Sequence, residues 1–306
     1  FTVIIHGYLE AIGNQQDTIK FMSTENWNSW GGLHFESDAD PNSSLEYVHL
    51  DNYYMGMKPT ISIKGTTINY SNNLVVLSEA GFVLDSTNQQ FINETFDYSL
   101  TTNFVIKNSS NVLFKNCTFN YLDNGEGSGG MGLFNVDSAS LTIDSCYFDD
   151  VDEIYTGGSW DIDNRNTDTV IIRNSTFEKT SFTFNLNSYN DGPVIITNNK
   201  FYSVNSTIIT AQADTAYFTN NLIYYDKNSS PFHHISISDD NNTGIRSGVI
   251  NFYNNTAYMA NSSYNDDWIE LYEYSGGNPV FNCKNSVIWG FGGNTISTFG
   301  NYTLNI

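Results

Sequence analysis

The octapeptide VIIRNSTF, Val170 to Phe177, is nearly repeated along this chain. Upstream stand VLFKNCTF (Val112 to Phe119) and LTIDSCYF (Leu141 to Phe148). Downstream stand VIITNNKF (Val194 to Phe201), AYFTNNLI (Ala216 to Ile223), INFYNNTA (Ile250 to Ala257) and FNCKNSVI (Phe281 to Ile288). The phrases recur every 22–34 residues or so, an interval that marks a solenoid whose variable insertions map to loops. A chain that repeats one phrase at this period must stack like on like.

Within each phrase polar and apolar residues alternate. Lys115, Asp144, Arg173, Thr197, Thr219, Tyr253 and Lys284 follow directly on Phe114, Ile143, Ile172, Ile196, Phe218, Phe252 and Cys283. Period two with one apolar side predicts a strand with one buried face, and helical periodicity is lacking. The next position reads Asn116, Ser145, Asn174, Asn198, Asn220, Asn254 and Asn285. Asparagine accepts left-handed backbone and makes tight turns. Stacked on neighbouring coils, these side-chain amides are expected to hydrogen-bond up and down the column, as in other in-register stacks. The expected fold is all-β, a parallel β-helix of about 11–12 coils spaced about 4.8 Å apart, a rod on the order of 50–60 Å long. A sandwich does not explain an in-phase Asn column, and a propeller needs longer, more regular blades. The chain reads as one domain, residues 1–306, with less regular coils over 1–80 and regular Asn-column coils over 81–306.

Trp30-Gly31-Gly32-Leu33-His34-Phe35, followed by Ser43-Ser44-Leu45-Glu46-Tyr47-Val48, resembles the right-handed, pectate-lyase-like parallel β-helix repeats of secreted and surface-attached microbial proteins. The resemblance implies that fold and an extracellular or cell-surface address. It implies function only weakly, because the scaffold carries lyases, hydrolases, adhesins and structural polymers alike. The family's hydrolases carry G-H-G and R-x-K signatures, and neither occurs here.

Composition narrows the partners. Twelve basic residues face 33 acidic ones, for a formal charge of −21. A nucleic-acid partner and an anionic membrane surface would both be repelled. No apolar run is long enough to span a bilayer, so membrane insertion is not expected. Abundant Tyr, Thr and Asn with few lysines suit an extracellular β protein.

Chemistry is harder to find. Asp149, Asp150, Asp152 and Glu153, with Asp161 and Asp163 shortly after, cluster in a loop following Phe148. The cluster reads as a solvated acidic face, as a Ca²⁺ site, since that ion wants several oxygens, or as a carboxylate pair for hydrolysis. No other cofactor is expected. Asp239-Asp240 and Asp266-Asp267 read alike. Arg173 sits where a lyase base would by position, although a lone arginine there more often pairs with a carboxylate on a neighbouring coil. His233-His234 reads as a loop pair. Outward aromatics can stack on sugars, yet Trp27, Trp30, Trp160, Trp268 and Trp289 form no visible stripe. Of the three cysteines, Cys117 and Cys146 occupy one column on successive coils, within disulfide range by Cα spacing, unless their side chains run parallel.

Both ends of the sequence, FTVIIHGYLEAIG and FGNYTLNI, are β-prone and lack a capping pattern. This raises two expectations: a fragment of a longer solenoid, or a subunit that pairs with itself head to tail or side by side. An extracellular structural protein that self-assembles or is displayed at the surface is the first expectation, and one that binds or degrades polysaccharide, with cell-surface glycans as partners, is the second.

Overall fold

The computed structural model describes residues 2–22, 30–52, 59–77, 81–99, 104–122, 133–149, 168–179, 184–186, 192–202, 209–211, 215–225, 235–238, 248–259, 269–272, 280–289, 296–299 and 303–306. Every regular element among them is a β-strand. A central sheet of 12 strands runs from Glu10–Ile12 to Thr303–Asn305. A third face of 11 strands runs from Ile19–Met22 to Val287–Trp289. The first face of the coil is built by two sheets. One has six strands from Val3–Ile5 to Phe134–Asp137, the other five from Phe184–Leu186 to Ile296–Phe299. Each strand pairs in parallel with its counterpart one coil away: Leu141 lies over Val112 and under Val170, and Phe148 lies over Phe119 and under Phe177. The protein is therefore a parallel β-helix, and its central sheet counts 12 coils. The coils before residue 80 stack in the same sheets as the later ones.

In-register stacking sets the core. Phe96, Phe119, Phe148, Phe177 and Phe201 point inward from the third face, with successive ring centroids 5.0, 4.5, 4.6 and 4.9 Å apart. All five are fully buried. The backbone ladder spaces coils about 4.8 Å apart, which lies in the range for stacked rings. Across the lumen the contact changes to edge-to-face: Phe104 and Phe114 meet at 4.9 Å and 76°. The Trp-Gly-Gly segment packs the first coils. Trp30 is buried, stacks 6.0 Å from Phe21 and donates its indole N–H to Asp51 O at 3.0 Å. Gly32 has φ +82°, and a Cβ there would run into the carbonyls of Pro59 and Thr60, so the position is held to glycine.

The corner between the central and third faces explains the repeated phrase. Asn116, Ser145, Asn174, Asn198, Asn220, Asn254 and Asn285 all have positive φ, between 52° and 60°. Asn72, Asn93 and even Tyr47 continue the column toward the N-terminus. The left-handed turn aims each N–H at a carbonyl one coil on, as from Asn174 to Thr197 O at 3.2 Å and from Asn220 to Tyr253 O at 3.0 Å. Backbone pairing is thus carried around the bend.

The side-chain ladder differs from the expectation. Outward amides meet only loosely, Asn93 to Asn72 at 3.3 Å and Asn116 to Asn93 at 3.4 Å. The tight ladder lies one residue further on and inside. Asn199 Oδ1 accepts the N–H of Ser175 at 2.9 Å, Asn221 Oδ1 that of Asn199 at 2.9 Å, and Asn255 Oδ1 that of Asn221 at 2.8 Å. Their amide nitrogens donate to Ile172, Ile196 and Phe218 carbonyls of the preceding coil. The reason is geometric. A left-handed residue throws its side chain out of the bend, and the residue after it points inward, where unpaired backbone groups must be satisfied.

The two columns should respond differently to substitution. Asn220→Ala is expected to cost about 1 kcal/mol from the left-handed backbone, with Asn220→Gly restoring most of it. Asn221→Ala strands the buried N–H of Asn199 and should cost about 1–3 kcal/mol, and Asn221→Gly should not recover it. Chemical denaturation of the four variants checks this; recovery by Gly at both positions would contradict the assignment.

Candidate functional site

Little of the predicted acidic cluster falls within the described residues. Asp149 does; Asp150, Asp152, Glu153, Asp161 and Asp163 lie outside them, as do His233, His234, Asp239, Asp240, Asp266 and Asp267. Asp149 is half-buried on the third face and ion-pairs with Lys179 at 3.2 Å. Among the described residues no group of three or more His, Cys, Asp or Glu side chains could hold a metal ion.

Arg173 is tied to a carboxylate on the preceding coil. Its Nε and Nη2 donate to Asp144 Oδ2 at 3.0 and 2.8 Å. Asn174 and Ser145 donate to the other oxygen at 2.9 and 3.0 Å. Burial opposes the charged form of Asp144, but the Asn174 amide, the Arg173 guanidinium and the Ser145 hydroxyl outweigh it and hold the carboxyl below its ordinary range. This forked pairing suits a surface clamp between coils.

Cys117 and Cys146 do sit on successive coils, but both are free and buried. Their thiols point the same way along the axis, Cys117 Sγ toward Phe91 O at 3.4 Å and Cys146 Sγ toward Phe114 O at 3.6 Å. No disulfide joins them in this structure, where the side chains run side by side in parallel register. Cys283 is also a free thiol.

The feature that spacing alone did not show is on the outside of the third face. Strand register lines up Asp97, Asn120, Asp149, Glu178, Tyr202, Tyr224, Tyr258 and Trp289 in one outward column on successive coils. Its first half is mostly acidic and its second half aromatic. Tyr202 and Tyr224 lie 6.5 Å apart at 56°, and Tyr224 and Tyr258 lie 5.6 Å apart at 25°. Tyr258 is 41% exposed and Trp289 72%. The four aromatics stand on the strands that follow the corner, each at the same distance past its inward residue, Asn199, Asn221, Asn255 or Ser286. Only Trp289 belongs to the tryptophan set weighed from the sequence. The three tyrosines were hidden among 20 in the chain. The signal was present in the alignment, because each lies at one fixed offset from its corner asparagine.

A second outward row runs along the central face, where Asn282 donates to Asn251 at 2.9 Å and Asn305 to Asn282 at 2.7 Å. Tyr253 donates to the same Asn251 oxygen at 2.8 Å, and Lys284 sits 5.7 Å over the Tyr253 ring.

No protein-family model and no curated protein matches the sequence. Solved structures with a similar backbone path include an alginate lyase from Paenibacillus sp. str. FPU-7, at TM-score 0.48 and 14% identity, covering 99% of this chain and 89% of that one. They also include the Streptococcus pneumoniae surface protein and adhesin PfbA, at TM-score 0.43 and 12% identity, covering 98% of this chain and 91% of that one. Identities this low carry no chemistry across.

Mass analysis under non-reducing conditions with a thiol-alkylating reagent in denaturant should count three free thiols; a count of one would restore the disulfide. The Asp144 clamp contributes stability above the ordinary carboxylate pKa and loses it as pH falls through the lowered folded value. Asp144→Asn should therefore narrow the stability gap to wild type as pH drops through the acid range, and a gap unchanged with pH would contradict the clamp.

Proposed function

We propose that this protein is an extracellular or surface-displayed β-helix that binds a polysaccharide along its third face. The observation that carries the reading is the column Tyr202, Tyr224, Tyr258 and Trp289, one aromatic per coil. A sugar chain presents apolar C–H faces and hydroxyl edges in regular alternation. Tyrosine and tryptophan offer an apolar ring and a polar tip to match both. The coil spacing of about 4.8 Å fixes the aromatic repeat, close to the rise of one unit in an extended glycan. A chain lying along the rod axis would meet a fresh ring at each unit. The formal charge of −21 favours an uncharged polymer over a polyanion.

The extracellular address is supported by the strong negative charge, the scarcity of lysine and the Tyr-, Thr- and Asn-rich composition. Self-assembly is retained as the alternative. The aromatic column ranks above it because it is a laterally placed, solvent-facing feature that packing does not require.

Affinity electrophoresis against a panel of neutral and acidic polysaccharides tests the reading. Retardation by at least one glycan is expected. The double variant Tyr224→Ala, Tyr258→Ala should weaken it roughly tenfold or more, equivalent to about 1.4 kcal/mol. Retardation untouched by the double variant, or by no glycan at all, would refute the site. Electron microscopy showing that the purified chain forms ordered polymers would shift the ranking toward self-assembly.

A further inference from the structure

The inner column of the corner reads Asn73, Glu94, Cys117, Cys146, Ser175, Asn199, Asn221, Asn255 and Ser286, one residue per coil. A carboxylic acid among amides, thiols and hydroxyls is out of place. What the others do shows what it must do.

Two roles recur. In the first, a side-chain acceptor takes the N–H of the residue one coil earlier. Asn73 takes that of Val48 at 2.8 Å, Ser175 that of Cys146 at 3.1 Å, and Asn199, Asn221 and Asn255 continue the series. In the second, a side-chain donor reaches a carbonyl of the preceding central strand. Asn73 reaches Leu45 O at 3.0 Å, Cys117 reaches Phe91 O, Cys146 reaches Phe114 O, Asn199 reaches Ile172 O, Asn221 reaches Ile196 O, Asn255 reaches Phe218 O and Ser286 reaches Phe252 O. Ser175 departs from the pattern by donating to Arg173 O. The accepting residues share one register of the central sheet, in which Leu45 pairs with Tyr70.

Glu94 fills the first role, since its Oε2 accepts the Asn73 N–H at 2.9 Å. Its other oxygen, Oε1, is buried with no partner, and the residue is 1% exposed. By register, the carbonyl that the second role would serve at this coil is that of Tyr70. A carboxylate has no proton to donate; a carboxylic acid has one.

We propose that Glu94 is built into the fold as a neutral carboxylic acid standing in for asparagine, and that its ionisation unlatches the corner joining the third, fourth and fifth coils. The surroundings agree. Facing Glu94 are the Tyr70 phenol, the Cys117 thiol and the Asn73 amide, and among the described residues no cation pairs with it. The Tyr70 hydroxyl is itself buried with no partner. Burial first, and the Cys117 thiol second, push the Glu94 carboxyl well above its ordinary range, against the pull of the Asn73 backbone N–H, the Asn73 side-chain amide and the Asn72 N–H. Burial and Glu94 push the Tyr70 phenol up likewise.

The sign follows from linkage. A carboxyl whose folded pKa lies above its unfolded one binds more protons when folded. Its contribution is whole below the unfolded pKa and is lost as pH rises toward the folded value. This is opposite to Asp144, so the third to fifth coils should be the part of the rod that acid tightens. Glycan binding is independent of this latch, since Glu94 is inside the helix and the aromatic column is outside it.

The test compares wild type with Glu94→Gln, which supplies donor and acceptor at every pH, by denaturation from about pH 4 to about pH 8. The two should match in acid, with the variant gaining over wild type as pH rises, and hydrogen exchange at the Asn73 amide should accelerate with pH in wild type alone. Parallel stability profiles would overturn the proposal. Infrared titration of wild type decides independently of how the variant folds. A protonated carboxyl band should persist above the ordinary Glu range, and its disappearance within that range would overturn the proposal.

Discussion

Parallel backbone pairing between successive coils is the constraint from which the rest of this molecule follows. Once strands stack in register about 4.8 Å apart, every side chain sits over its counterpart, and the sequence must be tolerable as columns. Aromatic columns tolerate this well, because rings stack at that distance, as Phe119 and Phe148 do at 4.5 Å. Amide columns tolerate it well, because an amide both donates and accepts. Charges tolerate it badly unless they alternate, which is what Asp144 and Arg173 achieve on adjacent coils. Thiols tolerate it too: Cys117 and Cys146 neighbour each other on successive coils as free cysteines.

The corners are where this constraint is hardest to meet. A bend interrupts backbone pairing, and the interruption is buried on its inner side. Left-handed residues restore one hydrogen bond and inward polar side chains restore the next. The two jobs fall on neighbouring residues, which is why doublets such as Asn198-Asn199, Asn220-Asn221 and Asn254-Asn255 recur. Glu94 shows how narrow the chemistry is: an acid can hold an asparagine's place while it keeps its proton.

Outside the corners the solenoid frees its surface. Inward positions of the third face are committed to phenylalanine and aliphatic packing, but outward positions carry little structural duty. A row of outward tyrosines ending in Trp289 at 72% exposure is therefore informative in a way that the buried rows are not. The scaffold converts a sequence offset into a straight surface track, and the chemistry of that track belongs to whatever lies along it.

Period, alternation and the corner asparagines were enough to derive a parallel β-helix and its number of coils, because in-register stacking writes itself into the sequence as a repeat. The inter-coil partner of Arg173 was legible for the same reason. Which asparagine of each doublet carries the buried ladder was not legible, since both neighbours are polar and only the left-handed φ decides which one turns inward. The aromatic track was legible only in part: Tyr202, Tyr224, Tyr258 and Trp289 each lie four residues past a corner asparagine, but only strand register shows that this position faces out of the third face on successive coils. The buried oxygen of Glu94 likewise belongs to the tertiary structure alone, because an acidic side chain directly after a turn asparagine reads as solvent-exposed until the column above and below it is known.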